Sequence, residues 1–229
     1  HEVGIVSFEN YSRLTISKNN AFKFFNLAWQ KESKSVAFLN DTDTTSNSAV
    51  LNYYQIKDKK LFTFDNKIRN NTASLMLYPH FSLLISDNDE KIFFMETEKR
   101  DSNLKYNPEN QKAEIWNGND KWLYTDRHRI QVTDDNPKLA VWFPKGNFYS
   151  KINSNELPDF ILNDKQDNVI IYNKNAYGLQ SKYFDETDYF LKNTKDNSQS
   201  LFLEKQSCDP QQIAFDPNSN KILYYKEKN

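Results

Sequence analysis

The stretch "DPNSNKILYY", residues 216–225, passes from a cluster of turn-forming polar residues through one lysine into a dense apolar and aromatic run. Similar wording occurs five more times, at "KDKKLFTF" (57–64), "DNDEKIFFM" (87–95), "GNDKWLY" (118–124), "DNPKLAVWF" (135–143) and "KQDNVIIY" (165–172). Asparagine and aspartate tolerate left-handed backbone and bond their own main chain, so they form tight turns where glycine is absent. With four glycines in 229 residues, Asn and Asp are expected to hold the left-handed positions. The lysine opening each strand is expected to stay solvated and to discourage edge pairing. Each phrase therefore predicts a corner and the strand that leaves it.

Other short aromatic and branched runs fill the intervals, among them "VAFL" (36–39), "AVLNYYQI" (49–56), "SLMLY" (74–78), "FSLLI" (81–85), "SLFLE" (200–204) and "QIAF" (212–215). Strands of this length between polar turn clusters predict a mainly β chain, an antiparallel meander forming a sandwich, barrel or bent sheet. The uneven spacing of the phrases argues against a fixed-period repeat. Near the N-terminus, Ala21, Phe24, Phe25, Ala28 and Trp29 fall at spacings of three and four, which predicts one amphipathic helix over about 18–32. "NSNELPDFILNDKQD" (153–167) reads as a boundary or long loop and "YFDETDYFLKN" (183–193) as a short helix. The expected organisation is a single β-rich domain over 1–229, with a division into 1–150 and 151–229 as the alternative.

Composition narrows the function. Aromatics make up 15% of the chain and supply much of its core volume. The net charge is −1 and like charges are interleaved, so no basic tail offers itself to nucleic acid. A single cysteine, Cys208, excludes an internal disulfide and a thiolate cluster. No apolar stretch approaches the ~20 residues of a membrane-spanning helix. The Asn, Tyr and Thr content points to an extracytoplasmic bacterial protein, secreted, periplasmic or at the cell surface.

Four glycines rule out a phosphate-binding glycine loop, and no nucleophile elbow or His-rich metal motif is present. In "TDRHRI" (125–130), Asp126 can orient His128, and with His80 this would make an acid–base pair for a secreted hydrolase or toxin. The alternating faces of an exposed strand account for the same pattern. "NDTDTTSN" (40–47) sets Asp41, Asp43 and Asn47 at alternating positions suited to calcium, but Ser46 stands where an EF-hand loop needs glycine. A third group is aromatic: Trp116, Trp122, Tyr124, Trp142 and Tyr149, with Asn117, Asn119 and Asp120 at a hairpin tip. Aromatic faces stack on sugar rings while amides and carboxylates take the hydroxyls, although a core role explains any one of these rings equally well.

The leading expectation is a non-enzymatic exported protein presenting aromatic and Asn-rich loops to a glycan or protein partner. A structural subunit of a surface or secretion assembly is the second reading, because a helix followed by an antiparallel sheet is similar in layout to minor pilins. The hydrolase built on His128, Asp126 and His80 is the third.

Overall fold

The computed structural model describes residues 1–21, 23–41, 49–64, 75–77, 82–98, 137–163, 165–177, 186–207, 209, 212–217 and 221–226. Among these residues the chain is β-structure throughout, every strand pair is antiparallel, and no α-helix occurs. The chain divides into two compact units, His1–Lys99 with Leu139–Lys151, and Arg100–Lys138 with Ile152–Asn229.

The first unit opens with a strand pair, β1 (Glu2–Val6) and β2 (Arg13–Lys18). A four-stranded sheet follows in chain order: β3 (Phe24–Trp29), β4 (Ser35–Asp41), β5 (Ala49–Gln55) and β6 (Lys60–Thr63). In the second sheet, β7 (Leu75–Leu77) and β8 (Leu84–Ile85) both pair with β9 (Ile92–Glu98) and together act as one interrupted first strand. Then come β10 (Lys138–Phe143) and β11 (Phe148–Lys151). The second unit holds β12 (Asp159–Leu162), β13 (Asn168–Tyr172), β14 (Glu186–Asn193) and β15 (Gln199–Ser207) in one sheet, followed by the pair β16 (Ile213–Phe215) and β17 (Ile222–Tyr224).

A common local grammar joins these strands. In all three larger sheets the corner from first to second strand spans six residues, Gln30–Ser35, Ser86–Lys91 and Asn163–Asn168, closed by the N–H of the first donating to the carbonyl of the last. The fourth residue of each is left-handed: Ser33, Asp89 and Gln166, at φ 58°, 58° and 57°. The opening side chain accepts main-chain N–H groups, as Gln30 does from Glu32, Ser86 from Lys91 and Asn163 from Asn168. Corners from third to fourth strand differ, placing the left-handed residue last before the chain turns back, at Lys59, Asn147 and Asn197.

This explains the uneven spacing of the repeated phrase. "DNDEKIFFM" and "KQDNVIIY" mark first-to-second corners, "KDKKLFTF" marks a third-to-fourth corner, and "DNPKLAVWF" leads into a third strand. The phrase marks different corners of one recurring unit, so a repeat of topology coexists with unequal connections. Asn and Asp hold only part of the left-handed positions, since Tyr11, Ser33, Lys59, Gln166 and Lys205 also adopt them.

The core of the first unit lies between its two larger sheets, where Leu39, Leu51 and Tyr53 meet Ile92, Phe94 and Trp142. The second sheet is buried on both faces, Phe93, Leu139 and Val141 lying opposite Ile92, Ala140 and Trp142. Lys91 departs from expectation: it is buried, with its ammonium about equally far from the rings of Phe93 and Phe143, at 6.0 and 5.9 Å. Ring faces replace part of its hydration there. In the second unit Ile170, Tyr189 and Leu203 pack with Ile213 of the terminal pair.

The expected helix over 18–32 is instead the end of β2, a connection and β3. Its helical spacing comes from a β-bulge. Between Phe25 and Ala28 the register slips by one residue and Asn26 turns left-handed at φ 52°, so residues three apart both face the core. The helix-then-sheet layout likened to minor pilins goes with it. The proposed short helix at 183–193 is also corrected, because Glu186–Asn193 forms β14 with Thr187 and Tyr189 inward at strand spacing. Within 153–167, the supposed loop, Asp159–Leu162 forms β12.

Candidate functional site

Of the aromatic group expected to stack on a ligand, Trp116, Trp122 and Tyr124, with Asn117, Asn119 and Asp120, lie outside the described residues. Trp142 and Tyr149 are brought together as cross-strand partners of β10 and β11, and each lies 5.3 Å from the ring of Phe64. Trp142 is fully buried, so its faces belong to the core and are not offered to a ligand, a correction of the stacking role. Tyr149 is partly buried and donates its phenol proton to Glu96.

His80, Asp126 and His128 lie outside the described residues, as do Asp43, Asn47 and Cys208. Asp41 ends β4, where its N–H donates to the Lys23 carbonyl at 3.1 Å. Among the described residues no three His, Cys, Asp or Glu side chains converge as metal ligands, and no helix is long and apolar enough to cross a membrane.

Two polar clusters are buried in the first unit. Glu96 follows Ile92 and Phe94 on the core face of β9, and its carboxylate accepts from Tyr149 and lies 3.6 Å from the Lys151 ammonium. A lone buried carboxylate is costly, so these two groups hold it in place. The second cluster ties equivalent corners of the two sheets together. Ser35 donates to the Asp89 carboxylate, the Gln30 amide to the Asp87 carbonyl at 2.9 Å, and the Tyr53 phenol to the Asp89 carbonyl at 3.1 Å. Burial pushes the Tyr53 phenol up to about 12, since ionisation there would strand a charge away from water.

The exposed aromatic surface lies elsewhere. On β3, the bulge turns Leu27 and Trp29 to the same outward side, 68% and 55% exposed. Among the described residues β3 is an edge strand, bonded only to β4, so this apolar pair borders the edge of its sheet. The helical spacing placed Trp29 on an inner stripe, and only the left-handed Asn26 reverses that reading. In the second unit, the partly exposed Tyr177 donates to Asp188 at 2.7 Å, with the Lys205 ammonium 5.6 Å above its ring. Asp188 also accepts the main-chain N–H of left-handed Lys205 at 2.9 Å, fixing the ring and the left-handed main chain with one carboxylate. The hydrogen bond from its phenol to Asp188 raises the Tyr177 pKa.

No protein-family model and no curated protein matches the chain. Among solved structures it is similar to TolB from Acinetobacter baumannii, at 9% identity over 96% of this chain and 42% of that one, with a TM-score of 0.39. Acylaminoacyl peptidase from Pyrococcus horikoshii matches at 14% identity over 89% and 28%, with a TM-score of 0.45. The β-propeller domain of the trilobed protease from Pyrococcus furiosus matches at 9% over 89% and 49%, with a TM-score of 0.44. The chain spans less than half the length of each.

Proposed function

We propose that this is a non-enzymatic, extracytoplasmic interaction protein, built from four-stranded units of the size that propellers repeat, which binds a glycan or protein surface through exposed aromatic side chains. The observation that carries the reading is the Leu27–Trp29 pair, apolar and outward on the edge of the first sheet. A Trp set in polar surroundings is the side chain most often found to anchor a binding surface. The exported location rests on composition.

The experiment is retention of the purified protein on a glycan array and on intact bacterial cells, compared with Trp29→Ala. Because the indole is half outside, the variant should fold unchanged by circular dichroism and lose at least about tenfold in retention, the loss of an anchor worth more than 1 kcal/mol. Retention that Trp29→Ala and Leu27→Ala both leave unchanged removes the reading.

A further inference from the structure

The edge strands of the sheets divide by length. Among the described residues β6, β11 and β12 are edge strands of four residues each, and their pairing is regular. The longest edge strands there are β2 and β3, of six residues, and β15, of nine. In each of these three the register slips by a residue of the edge strand. On β3, Asn26 and Leu27 lie opposite the single residue Phe38, and on β15, Glu204 and Lys205 lie opposite Asp188. β15 slips again at Phe202, and on β2 Ile16 is passed over between the pairs Val3–Ser17 and Gly4–Thr15. The internal pair β4–β5 runs through seven residue pairs without a slip.

The slips are built in by the residues around them. Asn26 and Lys205 are left-handed, at φ 52° and 47°, and the Asp188 carboxylate holds the Lys205 N–H at 2.9 Å. Beside the slip of β2, the Leu14 carbonyl approaches Gly4 so closely that a Cβ there would lie 2.7 Å from it, a place that only glycine fits. The same three strands carry exposed apolar side chains: Leu14 on β2, Leu27 and Trp29 on β3, and Leu201 on β15. A long apolar edge with regularly alternating N–H and C=O groups is a template for a further strand. An extra residue breaks that alternation and increases the local twist, so no continuous ladder is left to extend. A four-residue edge is blunted by its shortness alone.

We infer that the slips on β2, β3 and β15 are edge guards, which keep these strands from accepting a strand of a second copy of this chain. The guard on β3 is the left-handed Asn26. Without it Leu27 would stand opposite Phe38, Phe25 and Ala28 would keep their core side at ordinary strand spacing, and β3 would present a regular apolar edge. Two such edges pair with each other about a two-fold axis, the same strand on both sides.

The test is light-scattering mass in reducing buffer, which keeps Cys208 from linking chains. The wild type should stay at 27.1 kDa as concentration rises, and so should Asn26→Gly, since glycine accepts the left-handed position. Deletion of Asn26 should keep the β circular dichroism spectrum and raise the mass with concentration from 27.1 kDa towards twice that. Trp29→Lys added to the deletion should return it to 27.1 kDa, because a charge beside the edge repels a second strand. Asn26→Val, whose branched side chain disfavours the left-handed region, is the second variant and decides the matter if the deletion does not fold. The inference is overturned if neither variant gains mass over the wild type, or if Trp29→Lys leaves the gained assembly intact. A wild type that exceeds 27.1 kDa and returns to it on Trp29→Lys overturns it as well, since β3 would then be unguarded.

Discussion

The first and second units build their cores from the same strands and corners but bury them to different depths. In the first, a four-stranded sheet closes on another, and Trp142, Phe94 and Tyr53 disappear between them. In the second, the sheet of β12–β15 is met by the two-stranded pair β16–β17, and Ile213 is the buried residue that the pair contributes. Corner chemistry sets where strands begin and reverse. How deep a core becomes depends on what second layer covers it, because apolar burial scales with the area that both layers remove from water.

The largest expected effect sharpens this contrast. Trp142→Ala should destabilise the first unit by about 3–5 kcal/mol, since a large ring leaves a cavity between two full sheets. Ile213→Ala should cost about 2 kcal/mol, the low end for aliphatic truncation, because the thinner layer can collapse into the gap. Urea unfolding followed by circular dichroism measures both, and equal losses would break the comparison.

A smaller effect separates the corners. In the first unit the corner clasp includes the Tyr53 phenol, whereas in the second the Thr194 hydroxyl donates to the carbonyls of Gln166 and Asp167. A phenol held at about 12 when folded and near its ordinary value of about 10 when unfolded binds its proton more tightly in the folded state. Its contribution is full below about pH 10 and is lost as pH rises to about 12, on the order of 2 kcal/mol in all. Tyr53→Phe should cost about 1 kcal/mol at neutral pH through the lost hydrogen bond. It should also flatten the alkaline limb of a stability–pH curve, while Thr194→Val leaves the slope of that limb unchanged.

The smallest effect is a gain. Lys59 is exposed and left-handed at φ 50°, a conformation that disfavours any residue with a β-carbon. Lys59→Gly should stabilise by about 0.5 kcal/mol, strain relief outweighing the entropy that glycine adds to the unfolded chain. Asn147 holds the equivalent corner position in the second sheet at the same φ, and Asn147→Gly should gain less, because Asn tolerates this region better. Thermal unfolding of the two variants side by side decides between corner strain and a general effect of glycine.

Much of the fold was legible because it is local. The continuous apolar runs in "KLAVWF" and "NVIIY" and the polar clusters before them are properties of a few adjacent residues, and strands stand where those runs predict them. The misread helix over 18–32 has a local cause. A bulge at Asn26 converts strand spacing into helix spacing, and nothing in "FFNLAW" (24–29) announces that one asparagine is left-handed. The candidate surface suffered the same fate: Trp29 looked internal and Trp142 looked available, and the structure exchanges them. Exposure belongs to the partner layer, which no short window contains.

By itself, then, the sequence determined the antiparallel strands, the polar corners that reverse them and the absence of any helix-length apolar span, since each follows from neighbours within one turn or one strand. Only the tertiary structure decided that the strands gather into repeated four-stranded sheets, that Lys91 is buried between rings, and that Leu223 lies open where Phe93 is covered. Two stretches that share a polar corner, a lysine and an apolar run meet opposite fates there because hydrogen-bonded neighbours and opposing faces come from distant parts of the chain.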